Sequence, residues 1–161
     1  PYGTARTADK VDRARALGLA DGVALPAGLE PLAGAVDRWT RGAGVDVVLD
    51  LVGGDYVAAN VAVAAPRARI ILIGTVAGPK TTLPLGQVLG KRLTIRGTVL
   101  RSRPLEEKIL ATLAFEREVV PLLASGTLRP TVEAILPLAS VARAHELLAS
   151  NATFGKVVLE I

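Results

Sequence analysis

The 161-residue sequence has the length of a single domain, and its hydrophobic fraction of 50% is enough for a substantial buried core. Aromatic residues make up only 3%, so the core is predicted to consist mainly of Ala, Val, Leu and Ile, as in parallel strands covered by helices. The absence of cysteine excludes disulfides, a cysteine nucleophile and thiolate zinc ligands. With His145 as the single histidine and no nucleophile-elbow motif, metal and hydrolase chemistry are both unfavourable interpretations.

The formal net charge of +4 does not indicate a nucleic-acid partner, because the basic residues are dispersed and are not interleaved with aromatics. The longest apolar stretches are strand-sized, well below the ~20 residues that span a bilayer. No signal-peptide pattern opens the chain. A soluble, cytoplasmic protein without a membrane partner is therefore expected.

The first elements predicted along the chain alternate in type. A short start over 1–5 precedes a helix over 7–17, with Thr7 as a plausible N-cap and Gly18 as its stop. A brief apolar strand over 22–25 follows. Apolar residues at helical spacing then predict a helix over 29–41.

The clearest strand is the β-branched and leucine run over 45–51, which is bounded by glycines and predicted to be buried on both faces. The next predicted elements are a helix over 56–64, a strand over 68–73, a helix over 85–90 and a strand over 93–100. The last are a helix over 105–124 that begins after Pro104, a strand over 131–136, a helix over 141–149 with Ser140 as its N-cap, and a strand over 156–161.

Strands that alternate with helices predict an α/β fold with a parallel sheet and right-handed crossovers. Such sheets bind ligands at the carboxyl ends of their strands. The candidate ligand-binding loops are 50–55 (DLVGGD), 74–78 (GTVAG) and 100–103 (LRSR), and glycine in the first two lets a ligand approach the backbone. The alternative is that these glycines merely end strands.

The segments GTARTADK, GAGVDVVLDLVGG, ILIGTVAG, RGTVLRSR and NATFGKVVLEI occur in an order that resembles the zinc-free quinone oxidoreductase branch of the medium-chain dehydrogenases. The resemblance implies a Rossmann-like, doubly wound parallel sheet that is incomplete at its N-terminus, since no GxGxxG turn occurs. It implies a partial NADP-binding domain over 1–130. Residues 131–161 would return toward a catalytic domain that the sequence does not contain.

The same resemblance implies that the sequence begins at the end of the family's second strand, which meets the adenosine ribose. The stretch Gly3–Thr7 holds no acid to accept from both ribose hydroxyls of NAD, whereas Arg6 and Lys10 supply positive charge and Thr4 a small donor. NADP(H) is therefore the expected cofactor. The alternative is that Arg6 and Lys10 form a solvated helix start, and Leu25 stands where relatives often have a tyrosine that holds the 2′-phosphate.

Further cofactor-binding residues are implied in the loops. The ribose and pyrophosphate crevice is expected to be bordered by Leu51, Val52 and Gly53. The nicotinamide side is expected to be lined by Gly74, Thr75 and Val76. The nicotinamide wall is expected to be completed by Val99, Leu100 and Arg101. Lys156 matches the family's terminal Gly-Lys near the cofactor or substrate, with a strand-edge lysine as the alternative.

Other polar residues have plainer interpretations. Arg103 is either a site residue or a surface residue at a helix start. His145 is interpreted as structural. Asp50 is interpreted as a cap of loop N–H groups and not as an acid catalyst.

The implied reaction is hydride transfer from NADPH to a quinone or an α,β-unsaturated carbonyl, without a metal and with no catalytic residue identified. One alternative is an enoyl reductase of the same superfamily. The other is a domain that binds nucleotide or protein without catalysis. The resemblance also implies a homodimer through an edge strand near 93–99. The 161-residue chain alone is expected to be inactive.

Overall fold

The structure is a computed structural model that describes all 161 residues. They form two compact units, Pro1–Arg101 and Ser102–Ile161. The predicted division of roles at 130/131, between a cofactor-binding part and a returning segment, stays a prediction.

The first unit alternates strands and helices throughout. Its elements are β1 (Tyr2–Ala5), α1 (Ala8–Ala16), β2 (Asp21–Ala24), α2 (Glu30–Thr40), β3 (Val45–Asp50), α3 (Asp55–Val63), β4 (Ala64–Leu72), α4 (Leu85–Lys91) and β5 (Thr94–Gly97). Each of them overlaps the element predicted at that position. The strand predicted over 93–100 is shorter, because its pairing with β4 ends at Gly97.

All strand pairs of this unit are parallel. β1 pairs with β2, with Tyr2 opposite Asp21. β4 lies between β3 and β5, so that Leu49, Ile71 and Arg96 form one row across the sheet. Helices α1, α3 and α4 join successive parallel strands, and α2 leads from the two-stranded sheet to the three-stranded one. The predicted Rossmann-like α/β fold with parallel sheets is confirmed.

Two apolar clusters hold this unit together. In the first, Val61 of α3 and Ile70 of β4 are both completely buried, and side chains of α4 and β5 pack against them. The second joins Leu32 and Val36 of α2 to Leu25 after β2, with side chains of β3 and α3 around them. The loops at the strand ends are therefore mounted on a packed α/β framework.

One expectation about β3 is wrong: the strand is not buried on both faces. Val48 packs against the first apolar cluster, whereas Val47 and Leu49 are 47% and 62% exposed. Alternate residues of a strand point to opposite faces, and α3 and α4 pack on only one face of this sheet.

The predicted N-caps are correct in position but not in hydrogen bonding. Thr7 precedes α1 and Ser140 precedes the helix that begins at Val141, yet neither side chain makes a capping hydrogen bond. Asp9 lies in the first turn of α1, where a negative charge favours the helix dipole. The first amides of an exposed helix end can also bond water.

The second unit contains α5 (Leu105–Glu118), α6 (Val120–Ala124), β6 (Val132–Pro137), a short 3-10 turn (Leu138–Ser140), α7 (Val141–Ala149) and β7 (Lys156–Glu160). β6 and β7 pair in parallel. The single helix predicted over 105–124 is interrupted at Val119, because Pro121 has no N–H to continue the hydrogen-bond ladder and its ring opposes a regular helix there. No helix of the chain is long and apolar enough to cross a membrane.

Candidate functional site

The candidate site is the edge of the three-stranded sheet where β3, β4 and β5 end. Because these strands are parallel, their carboxyl ends lie along one edge. The loop after β3, residues 51–54, and the loop after β4, residues 73–78, are called loop A and loop B below. They contain the predicted site residues Leu51, Val52 and Gly53, and Gly74, Thr75 and Val76.

Loops A and B are joined by backbone hydrogen bonds. The Ala77 amide donates to the Val52 carbonyl at 2.8 Å, and the Gly54 amide donates to the Gly78 carbonyl at 3.1 Å. The Ile73 amide donates to the carbonyl of Asp50, the last residue of β3, at 2.7 Å. The two loops therefore form one connected backbone structure.

Glycine is required where the loops meet. Gly53 has φ +71° and Gly54 has φ +54°, a region that residues with a Cβ rarely adopt. A Cβ on Gly53 would lie 2.8 Å from the Thr75 Cα, and one on Gly54 would lie 3.0 Å from the Ala77 carbonyl oxygen. These glycines do more than end a strand, because they let the two loops approach each other.

The Asp50 side chain is hydrogen-bonded to the backbone of loop A. It is 4% exposed, and its Oδ1 accepts hydrogen bonds from the Val52 and Gly53 amides, both at 2.8 Å. The interpretation of Asp50 as a cap of loop N–H groups agrees with these bonds. Because the two amides are already bonded, Val52 and Gly53 cannot offer them to a ligand while this arrangement is kept.

Asn60 was not recognised from the sequence. It lies on α3, is 8% exposed, and donates from Nδ2 to Oδ2 of Asp50 at 2.9 Å. Its signal was a single amide side chain within the apolar helix sequence DYVAANVAV. A polar residue in such a helix needs a partner, and Asp50 was the nearest polar candidate in a predicted buried strand.

Loop B presents unpaired backbone groups at the same edge. The Thr75 amide and both backbone polar groups of Val76 make no backbone hydrogen bond, and the Val76 side chain is 91% exposed. Leu51 and Ile73 are exposed as well. The edge thus offers free donors, a free acceptor and apolar surface, which is the composition of a small-molecule site.

Thr4, Arg6 and Lys10 lie at the end of the other sheet of this unit. Thr4 is in β1, Arg6 follows that strand directly, and Lys10 is in the first half of α1. Thr4 and Arg6 are exposed and Lys10 is half-buried. No carboxylate occurs between Tyr2 and Ala8. Because Arg6 follows β1 and Lys10 lies early in α1, both cations are near the carboxyl end of β1, as predicted from the sequence.

The remaining residues singled out from the sequence lie outside loops A and B. Val99, Leu100 and Arg101 are exposed after β5. Lys156 begins β7 in the second unit, and its amide donates to the Thr131 carbonyl at 2.9 Å. His145 is exposed on α7. Arg103 lies 3.8 Å from Glu107 on the following helix, as a residue at a helix start does.

The strongest electrostatic perturbation lies away from these loops, at the first residue of β2. Arg15, the Gly22 amide and the Trp39 indole N–H all donate to Asp21, and together they lower the pKa of its carboxyl from 3.8 to about 2. The Trp39 ring also stacks on Tyr2 at 4.8 Å between ring centres. This cluster lies at the amino ends of β1 and β2 and joins them to α1 and α2.

The side chains of this chain do not fit a zinc site. The sequence has no cysteine, and no group of three His, Asp or Glu side chains is placed to hold a metal ion. The side chains of this chain therefore supply no set of metal ligands to loops A and B.

Parallel strands, helical crossovers and glycine-rich loops at the carboxyl edge define a Rossmann-like α/β domain. Residues 28–159 match the family described as zinc-binding dehydrogenase. The chain belongs to this family and is the C-terminal, cofactor-binding portion of a medium-chain dehydrogenase/reductase, as its resemblance implied.

Two curated relatives illustrate the breadth of the family. A highly reducing polyketide synthase of Cordyceps militaris is 32% identical over 132 residues, which are 78% of this chain and 5% of that protein. A 2-haloacrylate reductase of a Burkholderia species is 27% identical over 161 residues, which are 98% of this chain and 46% of that protein. The chain thus spans less than half the length of either relative.

Solved structures with the same fold include several oxidoreductases. An NAD-dependent alcohol dehydrogenase is 32% identical with a TM-score of 0.73, over 99% of this chain and 43% of that one. A mycobacterial protein complexed with NADPH is 26% identical with a TM-score of 0.75, over 99% and 49%. A quinone oxidoreductase of Pseudomonas syringae is 26% identical with a TM-score of 0.70, over 99% and 48%.

Proposed function

We propose that this chain is the cofactor-binding part of an NADPH-dependent oxidoreductase that reduces a quinone or an α,β-unsaturated carbonyl compound. The observation that carries the proposal is the joined pair of loops A and B at the carboxyl edge of a parallel sheet, with unpaired backbone groups in loop B. Family membership supports oxidoreductase chemistry, and the quinone oxidoreductase among the similar structures supports this class of acceptor.

The nicotinamide end of the cofactor is assigned to loop B. A carboxamide has two N–H donors and one carbonyl acceptor, so it complements the Val76 carbonyl and the amides of Thr75 and Val76. Backbone groups fixed in this way select which face of the nicotinamide ring meets the acceptor. Exposed Leu51 and Ile73 supply apolar surface beside them. A Cβ at Gly74 would clash with the Leu51 carbonyl, so this glycine lets loop A lie against loop B.

The adenosine end is assigned to the carboxyl end of β1. Arg6 and Lys10 provide positive charge for a 2′-phosphate, and Thr4 provides a hydroxyl donor. The absence of a carboxylate over residues 3–8 removes the group that accepts from both ribose hydroxyls of NAD. The NADPH complex of a similar structure supports this choice, and the NAD-dependent relative is the reason to test it directly.

The bound nicotinamide would supply the hydride, and the residues of this chain would bind and orient it. Val99, Leu100 and Arg101 are proposed to complete the nicotinamide wall, and the role of Lys156 in the second unit stays a prediction. The Thr75 hydroxyl is the one polar side chain of the two loops, and no catalytic acid is assigned to this chain.

Enoyl reduction is the second candidate. The match to a highly reducing polyketide synthase favours it, and so does the 2-haloacrylate reductase, whose named substrate is an α,β-unsaturated acid. Both candidates require the same cofactor and a conjugated acceptor. A domain that binds a nucleotide or a protein without catalysis is the remaining alternative.

The deciding experiment measures steady-state oxidation of NADPH by the whole protein with a quinone, a simple enone and an enoyl thioester, each compared with NADH. Faster turnover of the quinone or enone with NADPH supports the proposed function. Preference for the thioester identifies the enoyl reductase. Binding of NADPH without turnover of any acceptor leaves the non-catalytic alternative.

A homodimer through β5 is proposed as well. β5 pairs only with β4, so its other edge is free to pair with a second copy across a two-fold axis. Replacing Ile95 by proline would interrupt such pairing. Sedimentation of the variant as a monomer, against a wild-type dimer, supports the proposal, and a monomeric wild-type protein refutes it. The cytoplasmic location stays a prediction.

A further inference from the structure

The Asp50 side chain is a buried carboxylate whose hydrogen-bond partners are all neutral. Three donors surround it: the amides of Val52 and Gly53 on Oδ1 and the Asn60 side chain on Oδ2. Burial of a carboxylate without a cation is costly, and three hydrogen bonds offset that cost only while every donor stays in place. The arrangement is therefore sensitive to any displacement of loop A.

The same residue also controls loop B. The backbone carbonyl of Asp50 accepts from the Ile73 amide at 2.7 Å and from the Gly74 amide at 3.3 Å. Loop B is bonded back to loop A through Ala77 and Val52. A shift of Asp50 would therefore move the backbone that precedes Thr75 and Val76, whose free polar groups face the proposed nicotinamide.

Asn60 fixes the direction of the carboxylate. It lies ten residues after Asp50, on the helix that begins directly after loop A. A carboxylate can rotate about its terminal torsion unless both oxygens are engaged. The Asn60 amide engages Oδ2 and leaves Oδ1 directed at loop A.

We propose that Asp50 and Asn60 are a pair of positioning residues that hold loops A and B in the conformation that binds and orients the nicotinamide. This inference rests on the proposed function, because that function assigns loop B to the nicotinamide end of the cofactor. Neither residue is proposed to contact the cofactor or the reacting atoms.

The pair offers a sharp test by exchange of its two side chains. In Asn60→Asp, a second carboxylate replaces the group that donates to Oδ2 of Asp50. Two buried carboxylates then face each other, which raises the free energy of this arrangement. In the double variant Asp50→Asn with Asn60→Asp, the Asn oxygen accepts from Val52 and Gly53 and its NH₂ donates to the new carboxylate. All three hydrogen bonds can then form again.

Val61→Ala is the matched control. Val61 is on the same helix, is completely buried and has no hydrogen bond from its side chain, so its truncation lowers stability without touching either loop. Thermal unfolding of each variant shows how much stability it has lost. If a variant loses as much stability as Val61→Ala but changes kcat, KM or amide exchange more, the additional change reports on the position of the loops.

The measurements are kcat and KM for NADPH in the whole protein, together with amide hydrogen exchange at Val52 and Gly53 without cofactor. We expect Asn60→Asp to lower kcat/KM by on the order of tenfold, as for loss of a hydrogen bond to a charged group. Exchange at both amides should accelerate. The double variant should recover most of both effects, and Val61→Ala should change neither.

Wild-type kcat, KM and amide exchange in Asn60→Asp would overturn the inference, as would equal changes in Val61→Ala. Failure of the double variant to recover would also overturn it. Absence of NADPH turnover by the wild-type protein would instead overturn the proposed function. The exchange rates would then still decide whether the pair holds the loops.

Discussion

Gly53 faces Thr75 so closely that a Cβ on the glycine would lie 2.8 Å from the Cα of the threonine. Real Cβ atoms essentially never show such a distance to backbone, so any side chain at Gly53 must move one loop away from the other. This contact makes loops A and B a single structural element. It also explains why a pair of glycines follows β3.

Replacement of Gly53 by alanine is therefore expected to impair both stability and NADPH binding. The backbone at φ +71° alone costs about 1–2 kcal/mol for a residue with a Cβ, and the approach to Thr75 adds to it. Chemical unfolding and cofactor titration of the whole protein measure the two effects. Gly86→Ala, on α4 with open space around the site of the new methyl, should be neutral or stabilising by up to about 1 kcal/mol. Equal behaviour of the two variants would contradict the role of the contact.

Cofactor choice is expected to depend on Arg6 and Lys10. Arg6→Ala and Lys10→Ala should each weaken NADPH binding by about tenfold or more, the usual effect of losing a charge-assisted hydrogen bond, and should leave NADH binding nearly unchanged. Affinities for both cofactors in the whole protein provide the comparison. Arg38→Ala, an exposed cation on α2, serves as the control for net charge. An equal loss for NADPH and NADH would reject the 2′-phosphate assignment.

Stability is expected to depend strongly on Ile70, the completely buried centre of the first apolar cluster. Ile70→Ala should lower the free energy of unfolding by about 2–5 kcal/mol through lost burial and the cavity it leaves. Leu89→Ala, on α4 with a side chain 76% exposed, should change it by less than about 1 kcal/mol. Denaturant titration measures both changes, provided that the dependence of the unfolding free energy on denaturant concentration is the same in wild type and variant. A small effect at Ile70 would mean that the cluster is looser than the structure shows.

The Asp21 cluster predicts a specific pH dependence. The pKa of this carboxyl is about 2 in the folded protein against 3.8 ordinarily, with Arg15 as the largest cause. A group with a lowered folded pKa stabilises the protein above its unfolded pKa and loses that contribution as pH falls through the folded value. The stability difference between wild type and Asp21→Asn should therefore be full at pH 6 and shrink between about pH 4 and 2. Asp46→Asn, at an exposed position of β3, is the control for the loss of one carboxylate. A difference that is constant over this range would contradict the assignment.

The sequence located the elements well because their signals are local. The β-branched run 45–51 is a strand, and Pro104 precedes a helix, as each pattern predicted. The helix over 105–124 was predicted as continuous because its apolar spacing continues through Pro121, where the missing N–H interrupts it. Burial of β3 was overestimated for a related reason: apolar composition shows that a face can be covered, but not which elements of this chain cover it.

What the sequence determined by itself was the order of strands and helices, the parallel α/β class, the residues of loops A and B and the cap role of Asp50. These follow from residue type and from neighbours a few positions away. Only the tertiary structure decided that loop A and loop B are hydrogen-bonded to each other, that Gly53 meets Thr75, and that Asn60 completes the carboxylate's partners. These contacts join residues 10 to more than 20 positions apart, and their geometry arises only when parallel strands bring their carboxyl ends to one edge.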